Sequence, residues 1–274
     1  MKADMARPAE EARHRVGDSY VPDHRIELEP SPRWVRVRFG GQFVADSRRV
    51  LLLRETGHVP VYCFPREDVR MDLLVPSGRT SACPRKGEAV HWHVRVGGRT
   101  AEEAAWSYTN PRPDNSALGS HVAFDWPKMD AWLEEDTEVY VHARDPYKRI
   151  DVLHSSRHVR IVVAGETVAD SRRPRLLFET RLPTRYYIPP ADVRMDLLVR
   201  SAKETQCPYK GVASYYSVKV GDRLIPDIAW YYRHPIPECA KIENLISLFN
   251  ERVDALYVDG ELQAKPRTPW SPPD

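Results

Sequence analysis

Short segments in which apolar and charged residues alternate run through the chain. Across Val35–Phe39, valine and phenylalanine alternate with two arginines, which is typical of a strand with one buried face. Gly40 and Gly41 follow, and because glycine adopts positive φ without strain, they predict a hairpin that returns along Val44–Ser47. Alternation or short apolar runs predict further strands at 51–53, 61–64, 69–75 and 90–96.

Other segments favour short helices. The composition and spacing of 101–105, of the stretch around 130–135 and of 241–249 predict one helical segment each. Strands this short and this closely spaced predict a mainly antiparallel β fold, a small barrel or sandwich with a few short helices.

The whole pattern recurs at a constant offset. Residues 33–113 align with residues 157–237 without a gap at an offset of 124, and 39 of the 81 aligned positions are identical. A period this long exceeds that of solenoid repeats, so each copy is a whole domain. The alignment predicts homologous domains at 30–145 (copy one) and 150–265 (copy two). We expect the copies to pack about a twofold axis as a pseudo-dimer, with the chain itself monomeric, because duplications commonly fuse former homodimers.

The flanking segments have a different composition. Residues 1–29 are charged and lack a sustained apolar period, which predicts an N-terminal arm. Residues 266–274 contain four prolines, which cannot continue a helix or donate to a strand ladder, so they predict a disordered tail.

Composition excludes some classes of partner. The net charge of +2 comes from 41 basic and 39 acidic residues, which disfavours nucleic acid, because phosphate neutralisation requires a basic surplus. No apolar run reaches 18 residues, so we expect no membrane association. Four cysteines in 274 residues are too few for a disulfide framework and favour the reducing cytoplasm.

Three repeated motifs contain the candidate chemistry. They are Asp-Val-Arg-Met-Asp at 68–72 and 192–196, Cys-Pro-x-Lys-Gly at 83–87 and 207–211, and Ala-Trp-x-Tyr at 105–108 and 229–232. If the first motif is a strand, its Asp and Arg side chains share the face opposite the apolar stripe. The candidate ligand-binding residues are Asp68, Arg70, Asp72, Lys86, His91, Trp106 and Tyr108 in copy one, and Asp192, Arg194, Asp196, Lys210, Tyr215, Trp230 and Tyr232 in copy two. Aromatic walls with a few polar groups are the usual composition of a ligand pocket, although salt bridges and core aromatics would explain the same residues.

These motifs resemble the DUF427 family, a widespread bacterial domain. The resemblance rests on Tyr-x-x-Pro-x-x-Asp-Val-x-Met-x-x-Leu, Cys-Pro-x-Lys-Gly-x-Ala and Ala-Trp-x-Tyr-x-x-Pro, which occur in this order in both copies. It implies compact, mostly β, tent-like domains, often in tandem, with no settled activity. A nucleotidyltransferase-type label has been attached to the family, but this sequence lacks a Gly-Ser followed by a closely spaced Asp-x-Asp pair.

Metal and nucleophile chemistry have weaker support. Cys83 and Cys207 each precede a lysine by three residues, but a cysteine before proline is more often a small buried residue at a turn. His91 and His93 would share a strand face, yet the aligned residues of copy two are Tyr and Ser. The two aspartates of each first motif would lie roughly 13 Å apart on a strand, too far for one ion. We therefore predict no metal and no cofactor.

Two classes of function remain open, beside a purely structural scaffold. One is a small-molecule-binding protein whose pocket is lined by Lys, Tyr, Trp, Asp and Arg. The other is an enzyme of modest acid–base or transferase-type chemistry that uses Lys210 with Tyr215 or Tyr232, with Cys207 as a further catalytic candidate. Copy two matches the family phrases more closely, so we expect the working site there, and we expect Lys86 and Lys210 to face partly enclosed pockets.

Overall fold

The computed structural model describes residues 14–16, 19–21 and 24–272. The chain divides into unit 1 (Met1–Asp145), which contains copy one, and unit 2 (Pro146–Asp274), which contains copy two. Unit 1 begins with an antiparallel hairpin of β1 (His14–Val16) and β2 (Ser19–Val21). Among the described residues, no helix has the length and apolar character needed to cross a membrane.

Unit 1 consists of two antiparallel sheets and short 3₁₀ helices. Its other strands are β3 (Ile26–Pro30), β4 (Val35–Phe39), β5 (Gln42–Ser47), β6 (Leu51–Glu55), β7 (Val61–Pro65), β8 (Leu74–Cys83), β9 (Gly87–Val96), β10 (Arg99–Pro111), β11 (His121–Phe124), β12 (Ala131–Glu134) and β13 (Thr137–Val139). The 3₁₀ helices are Arg66–Asp68, Met71–Leu73, Pro113–Ser120 and Trp126–Lys128. The seven-stranded sheet has the order β3-β6-β7-β11-β10-β9-β8, and the four-stranded sheet has the order β13-β12-β4-β5.

Unit 2 repeats this arrangement. Its strands are β14 (Ile150–His154), β15 (Val159–Val163), β16 (Glu166–Ser171), β17 (Arg175–Glu179), β18 (Arg185–Ile188), β19 (Leu198–Cys207), β20 (Gly211–Val220), β21 (Arg223–Pro235), β22 (Ile246–Leu248), β23 (Ala255–Val258) and β24 (Glu261–Leu262). The 3₁₀ helices are Pro190–Asp192, Met195–Leu197 and Pro237–Ile242. The sheet orders are β14-β17-β18-β22-β21-β20-β19 and β16-β15-β23-β24.

The main core of each unit lies between its two sheets. In unit 2 it joins Val159 and Ile161 of the small sheet to Tyr216, Val218 and other apolar side chains of the large sheet. The opposite face of the large sheet carries a second cluster. Its buried members in unit 2 are Val152, Leu177, Tyr187, Ala213, Tyr215, Trp230, Tyr232, Cys239, Ile242 and Phe249. The large sheet is therefore apolar on both faces, and the candidate site lies in the second cluster.

The predicted fold class is confirmed: both units are mainly antiparallel β with short helices. The strand at Val35–Phe39 is confirmed, as is the Gly40-Gly41 hairpin, where both glycines have positive φ. The predicted return strand and the strands at 51–53, 61–64 and 90–96 are also present. Alternation identified β4, which has one buried face, whereas short apolar runs identified β6 and β7, which contribute to both clusters.

The three helix predictions are wrong. Residues 101–105 belong to β10, and 131–134 form β12. Residues 241–242 end a 3₁₀ helix, and 246–248 form β22. In β10, Glu103 has φ of 49° and the pairing with β9 shifts register, so Ala104 and Ala105 are both fully buried. A β-bulge thus produced the apolar spacing that resembled a helix.

The predicted strand at 69–75 is also wrong. The segment follows the 3₁₀ helix Arg66–Asp68, and Val69 makes an isolated bridge to Ala45 of the small sheet. A second 3₁₀ helix, Met71–Leu73, comes before β8 begins at Leu74 in the large sheet. The chain crosses between sheets here and cannot pair as one continuous strand. The polar residues of this motif therefore do not share a strand face, and the same holds for 192–196 in unit 2.

The flanks contain more structure than predicted. Ile26–Pro30 of the predicted arm is β3, paired with β6 at the edge of the large sheet. In the predicted disordered tail, the Thr268 hydroxyl donates to a carboxylate oxygen of Glu251 at 2.6 Å, and Trp270 lies over Arg185. The tail prediction is wrong for these residues because they contact buried groups of unit 2. Residues 1–13, 17–18, 22–23 and 273–274 lie outside the described residues.

The Cys-Pro-x-Lys-Gly motif forms the loop of a hairpin. Cys83 pairs with Gly87 across β8 and β9, and Cys207 pairs with Gly211 across β19 and β20. The glycines have φ of 107° and 103°, a conformation that L side chains rarely adopt. Each motif therefore holds its lysine at a fixed position beside the hairpin.

We expect Gly87→Ala to destabilise unit 1 more than Gly211→Ala destabilises unit 2. An added Cβ would overlap the Asn110 carbonyl oxygen in unit 1, but it would lie 3.2 Å from the His234 carbonyl oxygen in unit 2. Backbone strain costs about 1–3 kcal/mol at either position, and the overlap at Gly87 adds to it. Hydrogen exchange of β9 and β20 measures each unit separately, and equal losses of protection would contradict the prediction.

Candidate functional site

A cavity of about 300 Å³ opens onto the second cluster of unit 2. Its walls come from β17, β18, β20 and β21, from the hairpin loop between β19 and β20, and from the C-terminal segment. It is lined by Lys148, Leu177, Glu179, Leu182, Arg185, Tyr187, Thr205, Gln206, Cys207, Pro208, Tyr209, Lys210, Tyr215, Trp230, Tyr232, Phe249 and Trp270. Aromatic walls with a few charged groups thus enclose a space of the size that small ligands occupy.

Two lysines and one carboxylate form the charged end of the cavity. Lys210 Nζ lies 2.5 Å from Glu179 Oε2, and Lys148 Nζ lies 2.8 Å from Glu179 Oε1. The side chains of Glu179 and Lys210 are only 5% and 12% exposed. Lys148 also lies 5.0 Å from the ring centroid of Tyr209. One buried carboxylate therefore faces two ammonium groups.

The Lys210–Glu179 pair requires the large sheet to curl. Glu179 ends β17, the second strand of the sheet, whereas Lys210 lies in the loop beside β20, the sixth strand. Four strand spacings in a flat sheet would separate them by about 19 Å, which the two side chains cannot span. The sheet must bend around the second cluster, and the cavity lies inside this bend.

The aromatic wall is held by hydrogen bonds and ring packing. Trp230 Nε1 donates to Tyr187 Oη at 3.1 Å, and the Trp230 ring packs at 4.6 Å from that of Phe249. Tyr215 Oη lies 2.9 Å from Thr205 Oγ1. All four of these aromatic side chains are at least nine-tenths buried. The wall is therefore largely pre-formed.

A second charged pair closes the other side. The Arg185 guanidinium donates two hydrogen bonds to Glu251, at 2.7 and 2.6 Å, and both residues are buried. The Arg185 guanidinium carbon lies 5.5 Å from the Trp270 ring centroid and 5.6 Å from that of Trp230. A bidentate pair of this kind is geometrically rigid, so it holds this wall in place. The positive charge of Arg185 is balanced by the negative charge of Glu251.

The surroundings change the pKa values of the acidic groups. Burial would raise the pKa of Glu179, but the ammonium groups of Lys210 and Lys148 outweigh burial and hold it below 4.5. The pKa of Glu251 is likewise lowered, because its hydrogen bonds from Arg185 and Thr268 outweigh burial. Burial, with the neighbouring Tyr187, raises the pKa of Tyr232 well above its usual value. At neutral pH the two glutamates are ionised and Tyr232 keeps its proton.

Unit 1 keeps the ion pair but only part of the aromatic wall. Lys86 Nζ lies 2.5 Å from Glu55 Oε2, and His24 Nε2 lies 3.1 Å from Glu55 Oε1. Burial would lower the pKa of Lys86, but its hydrogen bond to Glu55 and the nearby Tyr108, Glu55 and Cys83 side chains together outweigh burial and raise it. At the positions of Arg185, Tyr187, Tyr215 and Phe249, unit 1 has Val61, Cys63, His91 and Asp125.

The cavity contains only part of the predicted set. Cys207, Lys210, Tyr215, Trp230 and Tyr232 all line it. In unit 1, Tyr108 and Trp106 belong to the corresponding second cluster, whereas the imidazole of His91 contacts the Ser81 hydroxyl at 2.8 Å.

The Asp and Arg residues of the first motif lie elsewhere and pair locally. Arg194 and Asp196 form an exposed pair at 2.6 Å, as do Arg70 and Asp72. Asp192 accepts hydrogen bonds from Arg173 and Ser171, and Asp68 from Arg49 and Ser47. Their grouping with the lysine and aromatic residues is wrong, because it assumed a strand where the chain makes 3₁₀ turns.

Sequence reasoning missed three charged residues of the cavity. Glu179 is repeated as Glu55 at the offset of 124, within an identical Glu-Thr pair, so the alignment contained a signal for it. Lys148 aligns with His24, outside the gapless region, and Arg185 aligns with Val61. Because neither residue type recurs in the other copy, the sequence contains no signal for Lys148 or Arg185, and only their position in the curled sheet identifies them as cavity residues.

Cys239, which is not one of the predicted catalytic candidates, lies in the second cluster. Burial raises the pKa of Cys239 to about 11, and its thiol donates to the Tyr209 carbonyl at 3.3 Å. Within residues 24–272, no group of three or more His, Cys, Asp or Glu side chains is arranged to hold a metal ion.

The low pKa of Glu179 predicts an acid-sensitive contribution to stability. A carboxyl whose pKa is lower in the folded state stabilises the fold above its unfolded pKa, near 4.5, and this stabilisation is lost as the pH falls through the folded value. Glu179→Gln should cost about 3 kcal/mol at pH 7, because the buried carboxylate is lost as the counter-ion of two half-buried lysines. Its free energy of unfolding should then fall less steeply below pH 4.5 than that of the wild type.

Denaturant unfolding at several pH values measures both effects. Asp196→Asn is the control, since that carboxylate is exposed and paired only with Arg194. An unchanged acid slope in Glu179→Gln would contradict the assignment.

Comparison with known sequences gives one family match. The sequence model of the family described as "Domain of unknown function (DUF427)" matches residues 27–135 and 151–259. A search of curated proteins gives no match. The two matched segments together cover more than half of the chain and coincide with its internal duplication, so this chain belongs to the DUF427 family, with two copies of the domain in tandem.

Proposed function

We propose that this protein binds a small molecule in the cavity of unit 2. The observation that supports the proposal is the cavity itself. The ion-paired Lys210 and Lys148 and the buried ring of Trp230 all line it. Ligand sites are usually concave, mostly apolar and furnished with a few placed polar groups. The four cysteines are free thiols, which suits the cytoplasmic location that we propose.

Binding fits this geometry better than acid–base catalysis by the same residues. Lys210 is engaged with Glu179 at 2.5 Å, and an ion-paired ammonium donates hydrogen bonds but does not accept a proton. The raised pKa of Tyr232, caused by burial, makes its phenol a hydrogen-bond donor and not a base at neutral pH. The cavity therefore presents fixed donors, which position a ligand.

Unit 1 is proposed to have a structural role at this position. It retains the Lys86–Glu55 pair that joins the hairpin loop to β6, but it lacks four of the side chains that wall the cavity of unit 2. This difference provides matched controls within one chain.

A thermal-shift screen of a metabolite library on the full chain tests the proposal. A ligand that binds only the folded state, present at 100 times its Kd, adds about 2.7 kcal/mol of stability. We expect compounds that raise the Tm of the wild type to have no effect on Cys207→Phe, because Cys207 lines the cavity and a phenyl ring there would occupy ligand space.

The matched control is Cys83→Phe, at the equivalent position of unit 1, which should bind as the wild type does. Cys207→Ser should also retain binding, which separates occupation of the cavity from thiol chemistry. If no compound binds, or if Cys207→Phe binds as tightly as Cys83→Phe, the proposal fails.

A further inference from the structure

We propose that the ligand of this cavity is an aromatic carboxylate, a planar monoanion whose carboxylate lies at Lys148 and Lys210 and whose ring packs on Trp230. This inference rests on the proposed binding function and specifies the class of ligand.

The charge of the cavity supports an anion. Lys148 and Lys210 carry two positive charges, and Glu179 supplies one negative charge. Arg185 adds none, because Glu251 neutralises it through two hydrogen bonds. One positive charge is therefore in excess within a largely buried site, where an uncompensated charge is costly. A monoanion compensates it.

The hydrogen-bonding capacity supports the same class. Each lysine ammonium has three N–H donors, and Glu179 accepts one hydrogen bond from each lysine. Each ammonium group thus has more N–H donors than its hydrogen bond to Glu179 uses. A carboxylate accepts from two donors at once, and its single charge matches the excess, whereas a phosphate monoester carries about −1.5 to −2 at neutral pH.

The wall beyond the lysines favours a flat ring. Trp230, Tyr215, Phe249 and Tyr187 are all at least nine-tenths buried, and Trp230 is held by its hydrogen bond to Tyr187. Aromatic rings stack on such surfaces with a gain beyond simple burial of area. Because the space is about 300 Å³, we expect one ring or two fused rings.

Unit 1 lacks the second lysine and part of the aromatic wall. His24 replaces Lys148 beside the Glu55–Lys86 pair, so unit 1 has no second lysine at this position. Cys63, His91 and Asp125 stand where unit 2 has Tyr187, Tyr215 and Phe249. Carboxylate recognition is therefore assigned to unit 2 alone.

Matched acid and amide probes test the inference by calorimetry on the full chain. The pairs are benzoate and benzamide, 1-naphthoate and 1-naphthamide, and indole-3-acetate and indole-3-acetamide. For the pair whose ring fits, the acid should bind at least about tenfold more tightly than the amide, because charge-assisted hydrogen bonds are lost in the amide.

Lys148→Met and Lys210→Met should each bring the ratio of acid to amide affinity close to one, because either change removes the excess positive charge. Lys148→Met leaves the Lys210–Glu179 pair in place, and for both variants the amide affinity checks that the aromatic wall is intact. Lys86→Met is the matched control in unit 1 and should keep the ratio of the wild type.

The two proposals fail in different ways. If the amides bind as tightly as the acids, or if only neutral or cationic compounds from the library bind, the carboxylate inference is overturned and binding by the cavity stands. An acid preference that survives both lysine changes also overturns it. If neither the probes nor any library compound binds, both proposals are wrong.

Discussion

The ion pair between the hairpin-loop lysine and the glutamate that ends a distant strand holds each unit in its bent form. In unit 2 it joins Lys210 to Glu179 across four strand spacings of the large sheet, and in unit 1 it joins Lys86 to Glu55 in the same way. A sheet twists and coils by itself, but a pair at 2.5 Å closes it to a particular curvature. The second cluster and the space within it lie inside this bend.

The bent sheets of the two units enclose different side chains. In unit 2 the bend encloses large aromatic side chains, which cannot fill it completely, and a cavity remains. In unit 1 the corresponding cluster is built from smaller groups such as Cys63 and Leu118. The replacement of Lys148 by His24 also changes how the buried glutamate is compensated. Duplication thus preserved the interaction that shapes the sheet while the lining changed.

Local patterns predicted the elements that have one buried face. Alternation located Val35–Phe39 and its hairpin, and the repeated Lys-Gly and Trp-x-Tyr motifs identified side chains that line the cavity. The failures occurred where tertiary context outweighs local pattern. The bulge at Glu103 buries two successive alanines, and the crossing at Val69 turns an apparent strand into 3₁₀ turns.

Identical residues at one offset and period-two alternation are properties of the chain that need no contacts. They were sufficient to identify the duplication, the β class and five of the residues that line the candidate site. Which charged side chains form ion pairs depends on the tertiary structure. Glu179 lies 31 residues before Lys210, and Arg185 lies 66 residues before Glu251; neither separation has a local period. Their pairing follows from the curvature of a seven-stranded sheet, which arises from the packing of all its strands together and is not encoded in any one segment.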